Sequence, residues 1–234
     1  MTPRAVLFDA AGTLIELSEP LGETYARIAG EFGVELPGWR IAGAFGWILR
    51  RAEPMVFPGQ PPEHVARAER DWWRGIVHST FLATDGTARF SDFDAFFERL
   101  YAWYSAPASW RPRAGAAESL DTLRAQGIAT GVVSNFDQRL RGLLAGLELA
   151  DRFDTVVLPA DAGVAKPHPR IFELALERIP ISAEQAVFVG DDAEKDLEGA
   201  RRVGMRTIDV SGLATLLELP DRLEALQKET PHEQ

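Results

Sequence analysis

Four short clusters, met in order along the chain, carry side chains suited to phosphoryl transfer: Asp9 with Gly12 and Thr13, Ser134-Asn135, Lys166, and Asp191-Asp192 with Asp196. A carboxylate such as Asp9 can attack phosphorus and split one hard displacement into two easier ones through an aspartyl-phosphate. Two anions repel, so such an attack needs cations. A divalent metal between Asp9 and Asp191 would supply one, and Lys166 a second, fixed charge. Asp9, Asp191 and Asp192 brought together without a metal would raise one another's pKa. Oxygen-only ligands at such a site favour Mg²⁺. Ser134 and the amides near Gly12 and Thr13 are the candidates for holding the non-bridging oxygens. Taken singly, each residue reads equally as a helix N-cap or a solvated loop charge. It is their joint order that points to a site.

That order needs a scaffold, and the sequence supplies one. Ala5-Val6-Leu7-Phe8 is a continuous apolar run ending abruptly on Asp9, with Gly12 permitting a tight turn, which predicts a buried strand of a parallel sheet. From Pro112 onward, strands and helices alternate. Strands are expected at Ile128–Val133, Thr155–Leu158, Ala186–Val189 and Arg206–Val210. Helices are expected at Ala116–Gln126, around Gln138–Leu149, at Pro169–Arg178, through Ala200, and from Pro220, with the polar end Lys228–Gln234 frayed. Such alternation predicts an α/β fold, a Rossmann-like doubly wound parallel sheet, in which chemistry gathers at the carboxyl ends of strands.

The stretch between the first strand and this alternation has a different texture. Apolar residues recur at helical spacing in Tyr25, Ile28, Ala29 and Phe32, and again in Phe93, Phe96, Phe97, Leu100 and Tyr101, with proline and glycine between. About four helices are expected there, the last opened by a capping box at Ser91 and Asp94. The predicted organisation is therefore a core of residues 1–15 and 110–234 with a helical insertion over 16–109. Trp39, Trp47, Trp72, Trp73, Trp103 and Trp110 all fall in the insertion or at its exit. They are expected to pack a small bundle, with the alternative that one or two line a substrate pocket.

Composition narrows the classes. A net charge of −10 argues against a nucleic-acid partner, and the absence of cysteine excludes a thiol nucleophile or a thiolate metal site. No apolar run approaches the roughly 20 residues of a membrane span, and nothing at the start resembles a cleaved signal, so no membrane association and a cytoplasmic location are expected. The partner anticipated is a small anionic substrate, in the first place a phosphate ester. A monomer and a homodimer are both open.

Phe-Asp9-Ala-Ala-Gly-Thr13, Val-Ser134-Asn135, Ala-Lys166-Pro and Phe-Val-Gly-Asp191-Asp192 with Asp196 resemble the four motifs of the haloacid dehalogenase superfamily, and the resemblance spans essentially the whole chain. It implies a Rossmann-like core with the helical insertion as a mobile cap. It implies Asp9 as covalent nucleophile, and Ser134, with Asn135 beside it, as binder of the transferred group. Lys166 would balance charge. Mg²⁺ would sit on Asp9, Asp191 and the backbone carbonyl of residue 11, with Asp192 and Asp196 in support.

One position departs from that pattern. The superfamily's phosphatases usually carry a second aspartate two residues after the nucleophile, as general acid and then base, and here Ala11 stands in its place. A methyl group cannot move a proton, whereas such catalysis is worth roughly 10²–10⁴-fold. Family members that also lack this aspartate suggest alternatives. Phosphonoacetaldehyde hydrolase needs a cap lysine for its Schiff base, but the only lysines are Lys166, Lys195 and Lys228, all outside the insertion. A metal-independent 2-haloacid dehalogenase fits Asp9 and Thr13, with Arg40, Arg50 or Arg51 available for a substrate carboxylate, but has no use for Asp191 and Asp192. A Mg²⁺-dependent hydrolase of a small phosphorylated metabolite ranks first, the dehalogenase second. A nearly inert protein that binds a phospho-ligand or a partner is the third reading.

Overall fold

The computed structural model describes residues 3–228, so the polar end from residue 229 lies outside it. The described chain divides into two compact units, one of residues 3–16 and 112–228 and the other of residues 17–111.

The first unit is built on β1 (Ala5–Phe8), whose four side chains are almost wholly buried. The chain passes into the second unit within β2 (Ile15–Leu17). Four helices follow: α1 (Leu21–Gly30), α2 (Gly38–Arg51), α3 (Pro62–Thr84) and α4 (Phe93–Ser105). It returns within β3 (Trp110–Pro112), which pairs with β2. The elements after that are α5 (Ala116–Ala125), β4 (Ala129–Val133), α6 (Arg139–Gly146), β5 (Thr155–Val157), a single turn α7 (Pro159–Ala162), α8 (Pro169–Arg178) and β6 (Ala186–Gly190). A π-helix at Ala193–Glu198 runs into α9 (Gly199–Arg202), and β7 (Arg206–Asp209) and α10 (Leu219–Lys228) close the described chain.

The five-stranded sheet has the order β5-β4-β1-β6-β7, and its pairings are parallel. This is the Rossmann-like sheet that the strand–helix alternation predicts. Its central strands are apolar on both faces because helices cover both. On one side Leu7, Val133, Val157 and Phe188 pack with Ile171, Phe172 and Ala175 of α8. Register sets the chemistry: Phe8 lies opposite both Val132 and Val189, so Asp9, Ser134 and Asp191 all emerge just beyond the same edge.

The second unit has its own core, in which Tyr25, Ile28, Ala29, Phe96, Phe97 and Leu100, marked by helical spacing in α1 and α4, are joined by Ile41 of α2 and Val77 and Phe81 of α3. Trp73 and Trp103 pack against it, but Trp39 and Trp47 are 75% and 48% exposed, so bundle packing does not account for all six tryptophans. The expected cap at Ser91 is displaced by one residue. Asp92 is the N-cap of α4 and accepts from the Ala95 amide, while the Ser91 hydroxyl donates to the Phe32 carbonyl. The other difference lies at Ala193–Glu198, where a π-helix replaces the expected α-helix and the Asp196 and Leu197 amides share the Asp192 carbonyl.

Candidate active site

At the carboxyl edge of the sheet, Lys166 is buried between two carboxylates. Its Nζ donates to Asp9 Oδ1 at 2.6 Å and to Asp196 Oδ1 at 2.5 Å. The site is assembled from remote segments because parallel strands deliver their ends to one edge. Burial alone would lower the lysine's pKa, but the Asp9 and Asp196 charges more than offset it and hold it above the usual lysine value. Lys166 is therefore a permanent cation. Its backbone is fixed by Asn135, whose Oδ1 accepts from the Lys166 amide at 2.7 Å and whose Nδ2 donates to the Lys166 carbonyl at 3.0 Å. Asn135, expected to touch substrate, thus has both ends of its amide spent on positioning Lys166.

Asp191 adds a third carboxylate. One oxygen each from Asp9, Asp191 and Asp196 lie within 4.8 Å of one another. Burial, with the Asp9 charge, raises the pKa of Asp191. Asp196 is pushed up to about 6 by burial, Lys166 offsetting only part of that and Asp9 adding to it. Three carboxylates around one ammonium leave an excess of negative charge that a hard divalent cation would neutralise. The all-oxygen donor set fits Mg²⁺. Asp9, Asp191 and the carbonyl of Ala11, to which no backbone amide donates among the described residues, are free to hold it.

Asp196 is tied more tightly. Its Oδ2 accepts from the Asp191 and Asp192 amides, each at 3.2 Å, while Oδ1 holds Lys166. The π-helix turns Asp196 back onto the end of β6, and a side chain at Gly190 would overlap its carboxylate. Asp192 departs from expectation. Rather than joining the carboxylate cluster, it caps the π-helix, accepting from the Glu194 and Lys195 amides at 3.0 and 2.8 Å.

The turn after Asp9 is similarly constrained. Gly12 has φ +91°, and a Cβ there would stand 2.7 Å from Asp191 Oδ2, so glycine is required twice over. The Thr13 hydroxyl donates to Asp191 Oδ1 at 3.1 Å. The amides of Gly12 and Thr13, expected to receive substrate oxygens, are spent on the Ile15 and Ala10 carbonyls instead. Among the described residues no backbone partner receives the amides of Ala10 and Ala11, and these are the donors left over at the turn. Ser134 is buried where expected. Its Oγ accepts a long 3.4 Å bond from the Phe136 amide, which leaves its proton available to an anion.

Sequence reasoning missed Arg113. Its guanidinium donates to the Gly12 carbonyl at 3.2 Å and to the Val210 and Leu213 carbonyls at 3.1 and 2.8 Å, and its amide donates to Leu14. No motif spacing announces it, because its side-chain partners are backbone atoms 97 to 101 residues away from it in sequence. As a positioning residue, Arg113 should matter more to rate than to affinity. Arg113→Gln is expected to lower kcat about tenfold with KM nearly unchanged. Steady-state kinetics on p-nitrophenyl phosphate check this, and an unchanged kcat would remove Arg113 from the account.

A family model for haloacid dehalogenase-like hydrolases matches residues 3–204. The chain is 36% identical over 209 residues to haloacid dehalogenase-like hydrolase domain-containing protein 3 of Homo sapiens, covering 89% of this chain and 82% of that one. It is 33% identical over 135 residues to glyceraldehyde 3-phosphate phosphatase of Pyrococcus furiosus, covering 49% of this chain and 54% of that one. The crystal structure of a haloacid dehalogenase superfamily phosphatase from Thermococcus onnurineus superposes with a TM-score of 0.63 at 25% identity, covering 94% and 97% of the two chains. The chain belongs to the haloacid dehalogenase-like hydrolases.

Proposed function

We propose that this hydrolase acts on a small phosphorylated metabolite through an aspartyl-phosphate on Asp9, with Mg²⁺ held by Asp9, Asp191 and the Ala11 carbonyl. The observation that carries the proposal is the convergence of Asp9, Asp191 and Asp196 around the Lys166 ammonium. The similarity to glyceraldehyde 3-phosphate phosphatase supports a phosphate ester as substrate class. Bound Mg²⁺ would supply the charge that lets a carboxylate approach a phosphate.

The protein's own groups define the steps. Lys166 pins Asp9 through Oδ1, and Oδ2 accepts no hydrogen bond among the described residues, so Oδ2 is the attacking atom. The Asp9 Oδ2–P bond forms as the ester P–O bond breaks, with the Ser134 hydroxyl and the Ala10 and Ala11 amides receiving the non-bridging oxygens. Water then attacks phosphorus and the Asp9 Oδ2–P bond breaks, releasing the Asp9 carboxylate and phosphate, with the water's proton passing to a phosphate oxygen or to solvent. Ala11 can neither protonate the departing alkoxide nor deprotonate the water, so the leaving group must be acidic or must draw its proton from solvent or substrate. In this proposal residues 17–111 serve as the cap, the protein works in the cytoplasm as a monomer or homodimer, and Asp192 and Asn135 act by shaping their loops.

Two measurements test it. Phosphate release from p-nitrophenyl phosphate and sugar phosphates, abolished by EDTA, is the expected result. Halide release from 2-chloropropionate that ignores EDTA would overturn it in favour of a dehalogenase. No turnover of any of these would leave a phospho-ligand-binding protein. Independently, Mg²⁺ is expected to raise the Tm by a few degrees, because ligand binding to the folded state adds stability, and Asp191→Ala should remove the rise. A wild-type melting curve indifferent to Mg²⁺ would contradict the metal site.

A further inference from the structure

Both carboxylates offered to a cation at the carboxyl edge of the sheet have one oxygen already tied by a protein donor. Lys166 holds Asp9 at Oδ1, and the Thr13 hydroxyl holds Asp191 at Oδ1 from 3.1 Å. Unlike Lys166, Thr13 brings no charge, so what its bond fixes is geometry. We infer that Thr13 makes this site select Mg²⁺ over Ca²⁺ by leaving Asp191 a single free oxygen, which rests on the metal site proposed for Asp9, Asp191 and the Ala11 carbonyl.

The tie is rigid at both ends. Thr13 is fully buried, its amide donates to the Ala10 carbonyl at 3.2 Å, and its β-branching leaves the hydroxyl few directions. Asp191 follows directly on β6, and its amide donates to Asp196 Oδ2 at 3.2 Å. Gly12 acts from the same turn as Thr13, since a Cβ there would stand 2.7 Å from Asp191 Oδ2. Glycine thus keeps the space beside that oxygen open, while Thr13 occupies the space beside the other. The turn after the nucleophile therefore sets which oxygen Asp191 presents.

The two cations ask different things of such a carboxylate. Ca²⁺ takes more and longer bonds to oxygen and accepts a carboxylate through one oxygen or both. Mg²⁺ demands a compact octahedron and keeps several of its waters, so it needs only a few single oxygens from the protein. Asp196 cannot raise the number of ligands, because its oxygens are committed to Lys166 and to the Asp191 and Asp192 amides. Few, single, fixed oxygens favour Mg²⁺. Freeing Oδ1 of Asp191 would give Ca²⁺ the bidentate ligand it otherwise lacks.

Thermal melting of the full chain with MgCl₂ and CaCl₂ titrated separately tests this, because the rise in Tm with concentration gives an apparent Kd for each ion. The wild type is expected to bind Mg²⁺ at least about tenfold more tightly than Ca²⁺. Thr13→Val, which keeps the shape and loses the hydroxyl, should lower that ratio about tenfold. Thr13→Ala, also without a donor, should do the same, and Thr13→Ser, which keeps the hydroxyl, should preserve the ratio. Each ratio is taken within one protein, so a change in its stability cancels. An unchanged ratio in Thr13→Val and Thr13→Ala, a lost preference in Thr13→Ser, or wild-type binding of Ca²⁺ as tight as that of Mg²⁺ would each overturn the inference and leave the metal site standing. A wild-type Tm indifferent to both ions would overturn the metal site and the inference with it.

Discussion

Asp9→Asn is expected to cut turnover by at least about 10³-fold while the protein stays folded. Asp9 is pinned by Lys166 through Oδ1 and its Oδ2 accepts no hydrogen bond among the described residues, whereas Asp196 has both oxygens committed and Asp191 is the carboxylate assigned to the metal in this proposal. An amide has nearly the same shape but cannot attack phosphorus. Stability should not suffer greatly, because the change also removes one of three crowded negative charges. Kinetics and thermal melting on the same preparation check both halves. A variant retaining more than a tenth of the wild-type rate would rule out covalent catalysis by Asp9.

Lys166→Met should abolish activity and also destabilise the protein, by about 3–5 kcal/mol at neutral pH, the usual cost of leaving a buried charge without its partner. Asp9 and Asp196 would then face each other with no cation between them. The pH dependence gives this loss a signature. Without Lys166 the folded-state pKa of Asp196 rises further above its unfolded value. The penalty therefore exists above the folded pKa and is relieved as pH falls through it. Asp196, already pushed up to about 6 with Lys166 present, should lead the effect. The Tm deficit of the variant is expected to be larger at pH 8 than at pH 5. An equal deficit at both would mean that lost packing, not unpaired charge, is responsible.

The centre of the sheet was legible in the sequence because β1 and β6 are buried throughout and read as apolar runs, while β7, with Arg206, Thr207 and Asp209, was legible only through the alternation of strands and helices. β2 and β3, three residues each, are too short to show any period. The helical insertion was legible from apolar spacing, but spacing does not distinguish a packed tryptophan from the exposed Trp39 and Trp47. Within the site, the sequence identified the residues better than their duties. Asp9, Lys166, Asp191 and Asp196 converge, yet Asn135 serves Lys166, Asp192 serves as a cap, and the Gly12 and Thr13 amides close their own turn. Those duties depend on hydrogen bonds between loops distant in sequence, which no local pattern encodes. Arg113 was invisible for the same reason.

Ala11 makes the central claim directly measurable. With no proton-transfer residue beside the nucleophile, a good leaving group such as p-nitrophenolate should depart readily, while hydrolysis of the aspartyl-phosphate lacks a base and lags behind. The intermediate should accumulate. Ala11→Asp is expected to clear it and to speed turnover by roughly 10²-fold, most for alkoxide leaving groups. The deciding measurement is mass spectrometry of the Asp9 peptide from protein quenched during turnover of p-nitrophenyl phosphate. A phosphorylated Asp9 peptide in the wild type that diminishes in Ala11→Asp is the predicted result. No adduct in either protein, together with no gain in rate on any phosphate ester, would contradict it.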